Sequence, residues 1–372
     1  MSSVHTTFGF YSSLIRSLAT LVFARLYTPQ PRPTRNLTNQ TAIVTGANSG
    51  IGLAIATQLA RQGATVYLAC RNLSRGEKAI DSIVAELSRN HSEKVRDRIH
   101  CWELDTSDLT SVRAFCSKWR AQRSGSSKKI DILIHNAGIA SAPTSAPTQA
   151  SNGMDLVYVT NFLGSYLMTH LLEPHLSVDA SVVMTSSTGH YSASTLLAAP
   201  TPLPVQTATP TGIAAYIKNK LNLTTSAPAY AQSKAQQVLF ALALQRHFDS
   251  IPGNERTAQA FTPGFTSTPI FGKFECTWRT WLANPLFAIL KTTEGWSGVS
   301  SEQGGMTGAW LGSDGVGQRQ ESGGGFWEWG VRRTSLVDYM RAQMGEEVFW
   351  GRVGNVWKGW EKDADVIWNW EI

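Results

Sequence analysis

The sequence predicts an α/β fold, a doubly wound parallel sheet in a single domain, with an apolar N-terminal arm and a Trp-rich C-terminal extension. Three observations predict it. From residue 41 onward, short apolar runs alternate with segments of helical apolar spacing. Several of the runs hold successive apolar residues, such as Ala42-Ile43-Val44, Ile132-Leu133-Ile134 and Val182-Val183-Met184, as strands buried on both faces require. The first strand-to-helix turn is rich in glycine. Strands joined through helices imply right-handed crossovers and a sheet covered on both sides.

The elements follow in order. Residues 41–45 form an apolar run ending in the glycine turn, and 51–61 carry helical spacing. Strand-like 65–69 precedes an amphipathic helix at 75–89 with its charges outward. A third strand is expected at 100–104 and a third helix at 109–120. Residues 130–134 are apolar apart from Asp131. A long helix is expected over 154–176, a buried strand at 181–185, a helix over 229–248 and a strand at 257–261 after the Pro252-Gly253 turn. Two segments break the rhythm. Residues 191–228 are rich in Pro, Thr and Ala and read as an insertion over the functional face. Residues 304–325 are dense in glycine and read as turns. Beyond them lie Trp327, Trp329, Trp350, Trp357, Trp360, Trp368 and Trp370, with a candidate amphipathic helix at 335–353. The tryptophans suit packing against the main domain, a membrane interface or a partner surface. The divisions are therefore 1–39, 40–330 and 331–372.

Composition narrows the function classes. A chain of 372 residues, 42% hydrophobic and 16% charged, can bury a sizeable core and is not disordered overall. Its formal charge of +6 suits an anionic ligand or surface. No basic run interleaves with aromatics, so nucleic acid is not an expected partner. Cys70, Cys101, Cys116 and Cys276 lack metal or redox spacing, so no metal is expected and the thiols read as reduced. The first acidic residue is Glu77. Ahead of it, the apolar stretch 8–27 is interrupted by Arg16 and Arg25, too broken for a spanning helix. It suits a membrane-interface anchor, an organelle transit peptide or a core-packed arm. Pro29, Pro31 and Pro33 form a linker.

Five features carry chemistry. Gly46, Asn48, Ser49, Gly50, Ile51 and Gly52 lie between a strand and a helix, where a pyrophosphate approaches the backbone closely and side chains would block it. At the end of the second strand, where an acid would receive an adenosine 2′-hydroxyl, stand Cys70-Arg71-Asn72. A guanidinium there suits a 2′-phosphate, favouring NADP(H). Tyr230 and Lys234 share one face of a helix, and an ammonium beside a phenol lowers its pKa so that it can shuttle a proton. Ser187, just after a buried strand, can hydrogen-bond a reacting oxygen or serve as a helix cap. Asn136-Ala137-Gly138 ends the fourth strand, and Asn161 lies in the following helix.

In order and placement these features resemble the short-chain dehydrogenase/reductase family over roughly residues 40 to 330. The resemblance implies a Rossmann-type sheet, a cofactor loop at Gly46, Gly50 and Gly52, and an adenine contact from Asp105. It implies a sheet-steadying role for Asn136, Ala137 and Gly138, and a catalytic tetrad of Asn161, Ser187, Tyr230 and Lys234. Lys234 would also bind the nicotinamide ribose, and Asn161 would hold a water relaying protons to it. Pro263, Gly264 and Thr268 would lie beside the nicotinamide carboxamide. The run Tyr67-Leu68-Ala69-Cys70-Arg71-Asn72 looks like the NADP-preferring retinol-dehydrogenase-like branch, which includes WW-domain-containing oxidoreductases. Fungal lipid-droplet members are similar in layout. The function implied is NADP(H)-dependent interconversion of a carbonyl and an alcohol on a lipophilic substrate such as a retinoid, sterol or aldehyde. The implied location is a cytosol-facing membrane surface, endoplasmic reticulum or lipid droplet, with cytoplasm or mitochondrion as alternatives and a homo-oligomer left open. The rival reading is a catalytically silent NADP-binding scaffold. Two departures stand out: the long interval from Ser187 to Tyr230, and the Trp-rich tail.

Overall fold

The computed structural model describes residues 3–23, 34–88, 93–123, 129–141, 147–193, 195–197, 228–266, 298–313 and 323–368. Helix α1 (Ser3–Phe23) leads into β1 (Thr41–Thr45), α2 (Gly50–Arg61), β2 (Thr65–Cys70), α3 (Leu73–Ser88), β3 (Ile99–Glu103), α4 (Leu109–Arg123) and β4 (Ile130–His135). Helix α5 (Leu156–Tyr158) continues through a π-helical turn, Val159–Leu163, into α6 (Gly164–Leu172). There follow β5 (Leu176–Thr185), α7 (Pro228–Ser250), β6 (Thr257–Thr262), α8 (Ser301–Ser313), β7 (Phe326–Glu328), β8 (Val331–Arg333), α9 (Leu336–Met344) and α10 (Glu346–Ala364).

The sheet has eight strands in the order β3-β2-β1-β4-β5-β6-β7-β8, all parallel except the final antiparallel hairpin β7-β8. Strand order reverses between β1 and β4, which opens a crevice outside their carboxyl ends. The central strands are buried on both faces because each face has its own core. One face packs α2, α3 and α8 through Ile55, Leu59, Ile80, Ile83 and Trp310. The other packs α4, α6, α7 and α10 through Phe115, Tyr166, Phe240 and Trp357.

Four expectations are corrected. The glycine-dense stretch is not all turn, because Gly304, Gly305, Gly308 and Gly312 lie on α8. A Cβ at Gly308 would sit 2.5 Å from Phe261 and one at Gly312 2.9 Å from Ile132, so these glycines let the helix approach the sheet. Residues 335–353 form two helices, because Gly345 takes φ +78° between them. The long helix ends at Leu172, where Pro174 follows in a short 3-10 turn. Strand β5 therefore begins five residues earlier than its apolar run suggests, at Leu176.

The tryptophan tail packs inward. Trp360 lies 4.5 Å from Phe162, and Trp357 and Trp368 lie 5.2 and 5.5 Å from Tyr166, ring centre to ring centre. Offset and edge-on pairs of this kind add to the area they bury. Trp370 and the candidate insertion beyond Leu197 lie outside the described residues.

Helix α1 packs with its polar side inward. Phe10 stacks on Tyr339 at 4.4 Å, while Ser17 donates to Glu328 at 2.9 Å and Thr20 at 3.3 Å. Glu328 is fully buried and paired with Arg333 at 3.2 Å. Val4, Phe8, Tyr11, Ile15 and Leu18, spaced four and three apart, stay exposed. Among the described residues, no helix is long and apolar enough to cross a membrane.

Candidate active site

The site is built where β1, β4, β5 and β6 end. Gly46 and Gly50 hold positive φ, +65° and +57°, and a Cβ on Gly52 would meet the Asn136 amide at 2.4 Å and the Gly46 carbonyl at 2.5 Å. These three positions therefore exclude side chains. Ser49 precedes α2 in extended conformation and makes no side-chain cap, so the first N–H groups of α2 are not capped by it. The Cys70 thiol accepts hydrogen bonds from the Ala47 and Asn48 amides beneath the loop.

Asn136 and Ala137 fasten this loop to the sheet. Both backbone amides donate to the Thr45 hydroxyl, at 2.9 and 3.0 Å, and the Asn136 side chain donates to the Thr45 carbonyl at 3.0 Å. A Cβ on Gly138 would stand 3.5 Å from Lys234 Nζ and 3.2 Å from Asn161 Oδ1, so glycine keeps space beside the ammonium. At the adenosine end, the largely exposed Arg71 lies 3.9 Å from Asp105. Asp105 also accepts from the Ser107 hydroxyl and amide. Asn72 caps α3 by accepting from Arg75. Gly264, at φ +71°, lies under the Trp329 indole, and Pro263 accepts from Thr266. Thr268 falls outside the described residues.

The four tetrad positions converge. Ser187 shares a hydrogen bond with the Tyr230 phenol, and Lys234 Nζ lies 5.6 Å from the centre of the Tyr230 ring. Asn161 is fully buried. Its side chain exchanges two hydrogen bonds with Ile139, at 2.8 and 2.9 Å, and donates to Ser233 at 3.0 Å. The phenol differs from expectation in one respect. Its pKa is raised, because burial outweighs the Ser187 hydrogen bond that favours the phenolate. Burial pushes the Lys234 ammonium down to about 7. Ser187 also serves as a cap, since its hydroxyl accepts from the Gly189 amide at 3.1 Å.

Two residues in this network carry no motif signal in the sequence. His190, buried and kept neutral with its pKa down to about 4, accepts at Nε2 from the Leu336 amide. That fixes its Nδ1 as the donor to the Ser187 carbonyl at 2.8 Å. Gln237 is fully buried, receives Lys234 Nζ at 3.2 Å and donates to the Asn161 carbonyl at 2.7 Å. Its position three residues past Lys234 on one helix was available in the sequence. His190 could not be placed, because its partner Leu336 is 146 residues away.

A parallel sheet whose strand order reverses beside a glycine loop defines a dinucleotide-binding α/β protein. The chain belongs to the short-chain dehydrogenase family, whose profile of that description matches residues 40–198. It is 33% identical to "Dehydrogenase/reductase SDR family member 13" of Bos taurus over 289 residues, 74% of this chain and 65% of that protein. It is 41% identical to "Retinol dehydrogenase 12" of Mus musculus over 150 residues, covering 40% and 43%. It is 33% identical to "Polyprenol dehydrogenase" of Mus musculus over 249 residues, covering 65% and 62%. The alignments thus span less than two thirds of each of these relatives. A short chain dehydrogenase structure from Salmonella enterica superposes with TM-score 0.53 at 22% identity, over 81% of this chain and 99% of that one, a likeness of fold.

Proposed function

We propose that this chain is an NADP(H)-dependent oxidoreductase that interconverts a carbonyl and an alcohol on a lipophilic substrate. The observation that carries the reading is the meeting of Ser187, Tyr230 and Lys234 at the carboxyl edge of the sheet, beside the Gly46–Gly52 cradle. That cradle fits a dinucleotide, because Gly46 and Gly50 turn the loop at positive φ into the start of α2, whose first N–H groups Ser49 leaves uncapped. A bound nicotinamide supplies or accepts the hydride. Tyr230 gives a proton to the substrate oxygen in reduction and takes it back in oxidation. Ser187 orients that oxygen, and Lys234 holds positive charge beside the phenol. Asn136, Ala137 and Gly138 steady the loop, and Asn161 locks the segment after β4. The test follows NADPH absorbance with purified protein against retinal, steroid ketones, fatty aldehydes and quinones. Turnover that depends on Tyr230 supports the reading. Tight NADPH binding without turnover on any of them favours a scaffold.

The 2′-phosphate preference rests on Arg71, the exposed guanidinium at the end of β2 where no acid stands. Arg71→Ala is expected to weaken NADPH by roughly 10- to 100-fold, the scale of lost charge-assisted hydrogen bonds, with NADH changed by less than about threefold. Fluorescence titration of both cofactors checks it, and equal losses would remove the argument.

A cytosol-facing membrane surface is the proposed location. Helix α1 turns Ser13, Ser17 and Thr20 to the protein and leaves Val4, Phe8, Tyr11, Ile15 and Leu18 outward, and no acidic residue precedes Glu77. An anionic bilayer complements both features. The chain is expected to float with phosphatidylserine-containing vesicles. Replacing Phe8 and Ile15 together by Glu should cut that binding by about tenfold or more at unchanged Tm. Equal flotation of the variant would show that α1 is not the contact.

A further inference from the structure

Lys234 is buried and can donate three hydrogen bonds. One goes to the Thr185 carbonyl at 2.8 Å and another to Gln237 Oε1 at 3.2 Å. The orientation of the Gln237 amide is forced by its neighbours. A carbonyl can only accept and an ammonium can only donate. Nε2 must therefore face the Asn161 carbonyl, and Oε1 must face Lys234. The Asn161 carbonyl is presented to Gln237 from inside the π-helical turn Val159–Leu163, where the regular helical ladder is interrupted.

The family resemblance implies that Asn161 reaches Lys234 through a relay water. In this chain a buried side-chain amide spans the same two groups.

We propose that Gln237 is a positioning residue: it fixes the Lys234 ammonium against Asn161 and sustains its charge in a buried site. The proposal rests on the oxidoreductase reading for its kinetic consequence, but the fixing of Lys234 does not depend on turnover. Among the described residues no charged group compensates the ammonium. From its own helix Tyr230 faces it, and from the packed elements come the Thr185 carbonyl, Asn161 and Gly138, all neutral. Burial is accordingly the cause that lowers its titration. The Gln237 oxygen is then one of two acceptors that keep the charged form in place.

The experiment uses the full chain without cofactor. Reductive methylation of Lys234 with formaldehyde and borane, quantified by mass spectrometry across pH, reads the fraction of neutral amine. Gln237→Met keeps the length and removes the acceptor, so the midpoint should fall by roughly one pH unit. Gln237→Glu offers an anion to the ammonium, so the midpoint should rise. Opposite shifts are not what a merely structural role produces. Matching midpoints in wild type and both variants would overturn the proposal, and equal losses of folding by circular dichroism would assign Gln237 to packing alone. On a substrate found for the wild type, Gln237→Met should lower kcat about tenfold with KM nearly unchanged, and Gln237→Glu should restore part of it. Absence of turnover in the wild type would sink the oxidoreductase reading while leaving the labelling result to decide the role of Gln237.

Discussion

Tyr230→Phe is expected to lower turnover of the best carbonyl substrate by roughly 100- to 10,000-fold, the range that a positioned proton donor supplies. Affinity for NADPH should change by less than about threefold, because the substitution removes one oxygen and keeps the ring. The pH dependence has a defined sign. Burial raises the phenol's pKa, so Tyr230 is protonated at neutral pH and ready to donate in carbonyl reduction. The rate of reduction should fall only as alkaline pH removes that proton. Alcohol oxidation needs the phenolate, so its rate should climb over the same range. Steady-state kinetics in both directions, with NADPH binding measured separately, check this. A variant that keeps most of its rate would show that another group moves the proton. Ser187→Ala should lose less, since Ser187 shares its hydrogen bond with the phenol and does not itself carry the transferred proton.

The sheet and the grouping of the candidate site residues were legible because their signals are local. Ile132, Leu133 and Ile134 form a short apolar run suited to a strand buried on both faces, and Gly46, Gly50 and Gly52 fall where a strand hands over to a helix. Tyr230 and Lys234 were one helical turn apart in any helix that held them. What stayed hidden depends on distant partners. The glycines of α8 read as turns because glycine has two uses, and only the contacts of Gly308 with Phe261 and Ile55 reveal close helix packing. The raised pKa of the phenol was hidden for the same reason: an ammonium one turn away argues for a lowered value, and only burial reverses it. Likewise the inward-facing hydroxyls of α1 have no meaning until Glu328 appears some 300 residues later, bonded to Ser17 and Thr20.

That carboxylate yields the largest expected effect on stability. Glu328 lies at the end of β7, wholly buried, with Arg333 on β8 as its charged partner and Ser17 and Thr20 as donors. Arg333→Leu leaves the acid buried without its cation, which should cost about 3–5 kcal/mol in denaturant unfolding at pH 8. Glu328 is already raised above its ordinary range by burial, and Arg333 is the foremost group opposing that rise. In the variant its pKa climbs further. A carboxyl whose folded pKa lies above its unfolded value favours the folded state below the unfolded pKa, and that contribution is lost as pH rises through the folded pKa. The penalty of Arg333→Leu should therefore shrink between pH 8 and pH 5, as the stranded acid takes up a proton. Glu328→Leu combined with Arg333→Leu should recover much of the loss, because no charge is then left buried. The double variant should nevertheless release α1, since Ser17 and Thr20 would lose their acceptor, and limited proteolysis near residue 20 should speed up relative to wild type. A penalty independent of pH, or a double variant as unstable as the single one, would mean that the pair contributes packing at the sheet edge and that its charge does not hold the N-terminal helix.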